Sequence, residues 1–217
     1  MTEPAARLYL VSPVIADATA FAPQLAAACR AGDVAAVLVK LAAADERTLV
    51  NHVKALAPAA QERGAAVLIE VQGEGDFASV SVRGGADGVH VAGDPATVRG
   101  LRERLKAERI LGAGGLRSKH DAMTVGEAGV DYVMFGEPRP DGSLPPVEAV
   151  ADRAAWWAEI FETPCVAYAP TIEAVARLAE THAEFVALGD AVWAHPDGPA
   201  AAVSAALERL TRKEIVR

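Results

Sequence analysis

The sequence predicts an α/β protein folded as a single (β/α)8 TIM barrel. Short runs rich in Val, Leu and Ile alternate with longer segments of helical pattern, which indicates consecutive βαβ units and a parallel sheet. Eight such runs are present, and eight strands close this kind of barrel. A length of 217 residues suits one barrel or one open α/β domain, so an open doubly wound sheet is the alternative. Because no linker or shift in composition divides the chain, we expect one domain over residues 1–217.

Residues that start or stop helices mark the boundaries of the elements. The second helix is expected to begin after Asp45, a typical N-cap, and to stop before Gly64. The fourth helix is expected to begin at Pro95 after Asp94, since Pro is favoured in the first turn of a helix. The expected strands are residues 7–12, 35–41, 66–71, 88–91, 110–113, 131–135, 165–168 and 185–188. The expected helices are residues 18–30, 45–63, 77–83, 95–106, 118–128, 147–161, 171–181 and 199–212.

Two stretches of similar sequence indicate a repeated unit. They are GADGVH at residues 85–90 and AGVDYV at residues 128–133. In each, a glycine ends a helix, an acidic residue follows and a short buried strand begins. A barrel is built from repeated βα units, so this repetition favours the predicted fold.

The composition restricts the class of ligand and the compartment. A net charge of −8 argues against nucleic acid, which requires clustered Lys and Arg, but it leaves a small phosphorylated molecule open. Cys29 and Cys165 are far apart in apolar segments, as expected of reduced core thiols. No apolar run reaches the ~18 residues that a membrane span needs. We therefore expect a cytoplasmic protein without a membrane partner.

Candidate ligand-binding residues follow the strands, because ligands bind at the C-terminal ends of the strands in such barrels. Lys40 and Arg139 are the best-placed cations for a phosphate group, although either also fits an ordinary surface charge. Asp94, with Asp76 or Glu70, offers the oxygen ligands that Mg²⁺ prefers beside waters and a phosphate. The alternative for Asp94 is the helix N-cap named above.

Glycines and aromatic residues supply weaker signals. Gly189 precedes a short segment where backbone N–H groups could bind phosphate, although such a glycine is usually only a turn. His90 lies in a buried strand, where a hydrogen-bonded core residue is the commoner role. Trp156 and Trp157 are typical of packing or of an oligomer contact, so a homodimer is one expectation.

Several motifs occur together in an order that resembles a known family. They are RLYLVS at 7–12, ADGVHV at 86–91, AGVDYVMFG at 128–136 and TPCVAYAPT at 163–171. Their spacing is similar to that of thiamine phosphate synthase and its paralogue, the thiazole tautomerase. The resemblance covers nearly the whole chain. It implies a β/α barrel that joins an aminomethylpyrimidine diphosphate to a thiazole phosphate, with Mg²⁺ and release of pyrophosphate.

The resemblance also implies roles for individual residues. Lys40 falls on the arginine of the family's QLREK pattern, and Asp94 is the candidate for the metal-binding acid after strand four. Counting back from ADGVH places the acid of the family's NDR motif on Asp76, although the strand itself ends nearer Glu70. The family's TxTK loop after strand six corresponds to GEPRPDG, which begins at Gly136 and contains Arg139. The phosphate-binding GGI corresponds to residues 169–171. The implied site therefore consists of catalytic Lys40 and Arg139, phosphate-binding Gly136, Thr171 and Gly189, and metal ligands Asp76 and Asp94.

Three features of the family's pattern are replaced. Ala42 stands at the lysine of QLREK, the TxTK loop has neither Thr nor Lys, and Pro170 removes a backbone donor from the phosphate loop. We therefore expect weak or absent synthase activity, and the alternative is a degenerate barrel that binds a phosphorylated ligand or a protein partner. Lys40, Asp76, Asp94 and Arg139 around one cavity would favour the enzyme. A cavity filled by Leu38, Leu116 and Trp193 would favour the alternative.

Overall fold

Eight parallel strands form a closed barrel in which each strand pairs with its neighbours in sequence and β8 pairs with β1. The structure is a computed structural model that describes residues 6–73 and 75–211. The strands are β1 (Arg7–Ile15), β2 (Val34–Leu41), β3 (Ala66–Val71), β4 (Gly88–Ala92), β5 (Ile110–Gly114), β6 (Tyr132–Phe135), β7 (Cys165–Ala169) and β8 (Phe185–Leu188). The predicted (β/α)8 TIM barrel is confirmed, and the open sheet is excluded.

α-Helices alternate with the strands as expected, with one addition, and a 3-10 turn (Lys106–Glu108) follows the fourth helix. They are α1 (Ala18–Arg30), α2 (Glu46–Gln61), α3 (Phe77–Gly84), α4 (Pro95–Leu105), α5 (Lys119–Glu127), α6 (Val147–Ile160), α7 (Ala174–Ala179), α8 (Asp190–Trp193) and α9 (Gly198–Thr211). The unexpected one is α8, whose four residues are too few to show a helical period. The last residue of the final expected helix, Arg212, lies outside the described residues.

Local capping signals placed the starts of α2 and α4 correctly. The Asp45 carboxylate accepts the Thr48 N–H at 3.0 Å, so the predicted N-cap of α2 is confirmed. At its other end α2 stops at Gln61, and Gly64 follows in a left-handed turn with φ of 81°. A residue with left-handed backbone conformation just after the last turn terminates the helix.

In each predicted sequence repeat, the acidic residue before the strand links that strand to its neighbour through a hydrogen bond. Asp87, just before β4, accepts the backbone N–H of Val67 in β3 at 2.7 Å. Asp131, just before β6, accepts the N–H of Leu111 in β5 at the same distance. The same contact recurs before β8, where Glu184 accepts the Cys165 N–H at 2.9 Å. Each acid satisfies a backbone donor at the start of a strand and fixes the position of its neighbour.

Successive side chains along each strand point to opposite faces of the sheet, which divides the core into two regions. One set of side chains packs against the helices, and the other fills the interior of the barrel, which we call the lumen. Leu38 and Leu68 belong to the lumen set. Lys40 and Glu70 come two residues later on the same strands and continue these rows toward the C-terminal end. The fold thus brings two charged groups to the point where a ligand would enter.

Both cysteines are free and buried, as predicted. Burial raises the pKa of the Cys29 thiol to about 11 and that of Cys165 to about 12. The two thiols are therefore protonated and unreactive at neutral pH.

In the part of the chain that the structure describes, no helix combines the length and the apolar character that a membrane crossing requires.

Candidate functional site

A cavity of about 660 Å³ opens at the C-terminal end of the barrel, and the loops after β5 and β6 form most of its wall. We call it the mouth cavity. Its lining consists of Ala92, Gly115, Leu116, Arg117, Gly136, Glu137, Pro138, Arg139, Pro140, Asp141, Pro145 and Arg153. Of the three side chains expected to fill a degenerate barrel, Leu116 lies in this wall. Leu38 packs lower in the lumen, and Trp193 donates its indole N–H to the Val11 carbonyl at 2.7 Å. The mouth is therefore open.

Three arginines face the mouth cavity. Arg153, on α6, donates to the carbonyl of Leu116 at 2.9 Å and so holds the loop after β5 in place. Arg117 and Arg139 are exposed. The backbone N–H of Arg139 donates to the Ser143 carbonyl at 2.9 Å, which fixes the turn that carries it. The cavity thus offers exposed cationic side chains on a hydrogen-bonded backbone, an arrangement that suits a phosphate or diphosphate group.

A carboxylate stands at the floor of the mouth cavity, directly above the lumen. Oε1 of Glu137 lies 3.5 Å from Nε2 of His90, and the Gly115 N–H donates to Oε2 at 3.4 Å. A Cβ atom at Gly114 would lie only 1.6 Å from Oε1, so glycine at this position leaves the room that the carboxylate occupies. No Lys or Arg is paired with this carboxylate among the described ion pairs.

A hydrogen-bonded chain runs from that carboxylate down into the lumen. His90 is 4% exposed, and its Nδ1 lies 2.8 Å from the hydroxyl of Tyr132, which in turn lies 2.9 Å from the hydroxyl of Tyr9. Burial raises the pKa of both tyrosines above the usual value, so both stay protonated at neutral pH. The interpretation of His90 as a hydrogen-bonded core residue is confirmed, and its second nitrogen faces the mouth.

Lys40 lies at the end of β2, where it makes an ion pair with Glu70 at 3.6 Å. Both side chains are about one-third exposed or less, at 26% and 33%. The Lys40 backbone N–H donates to Oγ of Ser12 at 2.8 Å, which fixes its place in the barrel. Lys40 is thus at the C-terminal end as expected, but it does not belong to the lining of the mouth cavity.

The two predicted metal ligands both act as helix caps. Oδ2 of Asp94 accepts from the N–H of Thr97 at 2.9 Å and from its hydroxyl, so the N-cap alternative is observed. Asp76 caps α3 through Ser79 and pairs with Arg104 on α4. Neither aspartate lines the mouth cavity. Within the described residues, no three His, Cys, Asp or Glu side chains come together as a metal site. Their role as metal ligands stays a prediction.

The predicted phosphate-binding residues occupy three different places. Gly136 lines the mouth cavity with φ of 101°, and a Cβ there would press on Val150 at 2.8 Å. Thr171 is exposed at the start of the segment leading to α7. Gly189 precedes α8 and packs against the Tyr168 hydroxyl, which would lie 2.2 Å from a Cβ atom at this position. Of the seven predicted residues, the mouth cavity therefore unites Gly136 and Arg139.

The sequence-based site omitted Glu137, Arg117 and Arg153, all of which face the mouth cavity. A signal was available for the first two, because each follows a strand by one to three residues. Arg153 carried no such signal, since it lies in the second turn of α6 and reaches back to an earlier loop. Its contribution depends on how the helix packs against the barrel.

Comparison with known proteins identifies close sequence relatives. A family model described as thiamine monophosphate synthase matches residues 8–192. The thiamine-phosphate synthase of Rhodospirillum centenum is 40% identical over 200 residues, which cover 91% of this chain and 94% of that protein. The thiamine-phosphate synthase of Hyphomonas neptunium is 39% identical over 212 residues, or 93% and 92% of the two chains.

Solved structures share the fold. Thiamine phosphate pyrophosphorylase from Pyrococcus furiosus superposes with a TM-score of 0.76 at 19% identity, and the match covers 94% of this chain and 95% of that one. A 3-hexulose-6-phosphate synthase superposes with a TM-score of 0.70 at 16% identity over 93% and 98% of the two chains. Likeness at this level of identity establishes the barrel and carries no information on the substrate.

Proposed function

This chain belongs to the thiamine monophosphate synthase family, and on that premise we propose that it acts in thiamine biosynthesis as a transferase. The proposed reaction joins an aminomethylpyrimidine diphosphate to a thiazole phosphate and releases pyrophosphate. The family membership supports the reaction class. The residues around the mouth cavity support the assignment of the chemistry to particular side chains.

One observation carries the assignment: Glu137 and Arg139 belong to one loop and line one cavity. Breaking the bond between the methylene carbon and the diphosphate leaves positive charge on the carbon, and the electron pair departs with the diphosphate. A carboxylate beside the carbon and an arginine beside the leaving group would stabilise both charges as they develop. Because an arginine can bind two phosphate oxygens at once, Arg139 and Arg117 suit the diphosphate end of the substrate.

Lys40 and Glu70 would serve the same reaction from the other side of the barrel. Their ion pair keeps the ammonium group near the C-terminal end while neutralising it in the free protein. An incoming phosphate would compete with Glu70 for this ammonium group. We therefore propose Lys40 as a phosphate contact that forms when substrate binds.

We retain Mg²⁺ as part of the proposal, with Asp94 as its protein ligand. Asp94 is exposed and follows β4, and Mg²⁺ is commonly held by one or two carboxylates together with phosphate oxygens and waters. Both aspartates cap helices, but Asp76 fits this role less well, because its carboxylate is also paired with the guanidinium of Arg104. When bound, the ion would supply neutralisation of the diphosphate charge.

A coupling assay with the purified chain, both thiamine precursors and Mg²⁺ tests the function. We expect thiamine phosphate to form at a turnover well below ~1 s⁻¹, since Ala42, Pro170 and the altered loop each remove a donor and a lost transition-state donor typically costs ~10²–10³ in rate. Arg139→Ala should lower the turnover a further ~10-fold or more. Arg63→Ala, which changes an exposed arginine beyond the end of α2, should leave it unchanged.

Two outcomes would contradict this proposal in different ways. Saturable binding of the pyrimidine diphosphate without any product would favour the degenerate ligand-binding barrel. A turnover near ~1 s⁻¹ that survives Arg139→Ala would assign the diphosphate contact to other residues.

We also propose that the protein is cytoplasmic and forms a homodimer. Two buried, free thiols support a reducing compartment. The helix surface around Trp156, which is partly exposed and has Lys119 Nζ 4.5 Å above its ring, is the proposed dimer contact. Size-exclusion chromatography with light scattering, applied to the wild type and Trp156→Ala, measures the assembly directly.

A further inference from the structure

We propose that the N-terminal end of the barrel is a second binding site, which takes a small, neutral, aromatic molecule with one N–H or O–H donor. A cavity of about 250 Å³ lies there, at the opposite end of the barrel from the mouth. It is lined by the first residues of several strands. We call it the basal cavity. The inference does not depend on the function proposed above.

The basal cavity exists because two neighbouring lumen positions carry small side chains. Ala36 on β2 and Ala66 on β3 are paired in register, and both line the cavity. In barrels of this type the interior is usually filled by layers of bulky branched side chains. Two adjacent alanines leave a gap in the layer nearest the N-terminal end. Engineered apolar cavities of roughly 150 Å³ bind benzene, so a bicyclic ring is in the size range of this one.

The walls favour a neutral ligand. Leu68, Val166 and Phe185 supply apolar surface. The two charged residues at the rim are already paired: Arg7 bonds Asp33 at 2.8 Å, and Asp131 accepts from both Arg102 and the Leu111 N–H. A charged ligand would find no unpaired partner in this lining and would lose its hydration.

Besides the paired Arg7 and Asp131, the polar side chains of the basal cavity are Tyr9 and Tyr132, and the chain above them sets the direction of their hydroxyl hydrogens. The carboxylate of Glu137 lies beside Nε2 of His90, so we assign the proton of the neutral ring to Nε2. Nδ1 then accepts from the Tyr132 hydroxyl, and Tyr132 accepts from Tyr9. The hydrogen of Tyr9 is thereby used, and its oxygen keeps lone pairs for a donor on the ligand.

Indole and benzofuran are matched probes for this site, because they share a shape and differ in the single N–H. We expect indole to bind the full chain with a dissociation constant of about 1 mM or tighter, measured by calorimetry or by ligand-observed NMR. Benzofuran should bind several-fold more weakly. Tyr9→Phe should remove the difference between the two probes, since it removes the oxygen that accepts the N–H.

Filling the cavity should abolish binding. Ala66→Leu is expected to lower the affinity for indole at least 10-fold. Ala36→Val, a smaller change on the neighbouring strand, should also lower it and serves as the test variant if Ala66→Leu does not fold. Arg139→Ala, at the opposite end, should leave indole binding unchanged. Unchanged affinity in either folded cavity variant, or no binding to the wild type, would overturn the site. Loss of binding in Arg139→Ala would place indole in the mouth cavity instead. Synthase activity is not a readout here, so the two proposals fail independently.

Discussion

The hydroxyl of Tyr132 lies 2.8 Å from Nδ1 of His90, and this contact joins the interior of the barrel to its mouth. The rings stack at an interplanar angle of 28° with centroids 5.6 Å apart. Above them, the second nitrogen of His90 faces Glu137. Below them, Tyr132 bonds Tyr9. A single buried phenol therefore sets the orientation of the histidine that lies under the proposed reaction site.

Tyr132→Phe should destabilise the protein by about 1–3 kcal/mol, because it leaves both His90 Nδ1 and the Tyr9 hydroxyl without a partner in a buried place. Urea denaturation followed by circular dichroism measures this. Tyr9→Phe is the matched control, since it removes only the last hydroxyl of the chain and leaves Tyr132 bonded to His90. If Tyr9→Phe lowered the unfolding free energy as much as Tyr132→Phe or more, the central hydroxyl of Tyr132 would not be the main stabilising group of the chain.

Stability should fall at alkaline pH. Burial raises the pKa of Tyr9 and Tyr132 in the folded state above the value of about 10 that they have when unfolded. Their contribution is complete below pH ~10 and is lost as the pH rises toward the folded-state pKa, since the unfolded chain releases the protons first. Each tyrosine can remove up to about 1.4 kcal/mol per pH unit in that window. Unfolding free energies measured between pH ~8 and ~11 should show the decline, and a Tyr9→Phe/Tyr132→Phe double variant should show a shallower one.

The carboxylates that hold neighbouring strands together should matter more than their exposure suggests. Asp87→Ala is expected to cost about 1–3 kcal/mol, because the Val67 N–H loses its acceptor and the Gln61 amide loses one of its two acceptors. Glu103→Ala, on the exposed face of α4, is the control and should change stability by less than ~0.5 kcal/mol. Thermal denaturation measures the stability of both variants. A similar loss of stability in the two would mean that water replaces the hydrogen bonds lost in Asp87→Ala.

Gly114→Ala should displace Glu137 from the floor of the mouth cavity. The new methyl group would overlap Oε1 of Glu137 and approach Nε2 of His90 to 2.8 Å. Because the carboxylate is the end of a flexible side chain, it can move aside, and we expect the fold to survive while synthase turnover falls ~10-fold or more. Glu137→Gln keeps the shape and should reduce turnover by the loss of charge. A Gly114→Ala protein with wild-type turnover would remove Glu137 from the proposed chemistry.

The sequence predicted the fold closely because its signals are local. The order of eight strands, the N-cap of α2 at Asp45 and the repeated acids Asp87 and Asp131 all depend on residues within a few positions of one another. The exception, α8, is too short to carry a period. The candidate site was harder to predict. Arg139 and Gly136 were identified because they follow a strand, whereas Glu137 looked like one more residue of a polar loop.

By itself, the sequence determined the architecture and the family, because periodicity, capping and motif spacing are properties of short segments. Tertiary structure alone decided which side chains meet. His90 and Tyr132 are 42 residues apart and yet hydrogen-bonded, while Asp94 and Thr97 are three apart and use the carboxylate as a cap. Whether an acid after a strand caps its own helix or faces the cavity depends on the path of its loop and on the neighbours packed around it. Long-range contacts such as that of His90 with Tyr132 require the closed barrel, which brings β4 and β6 together.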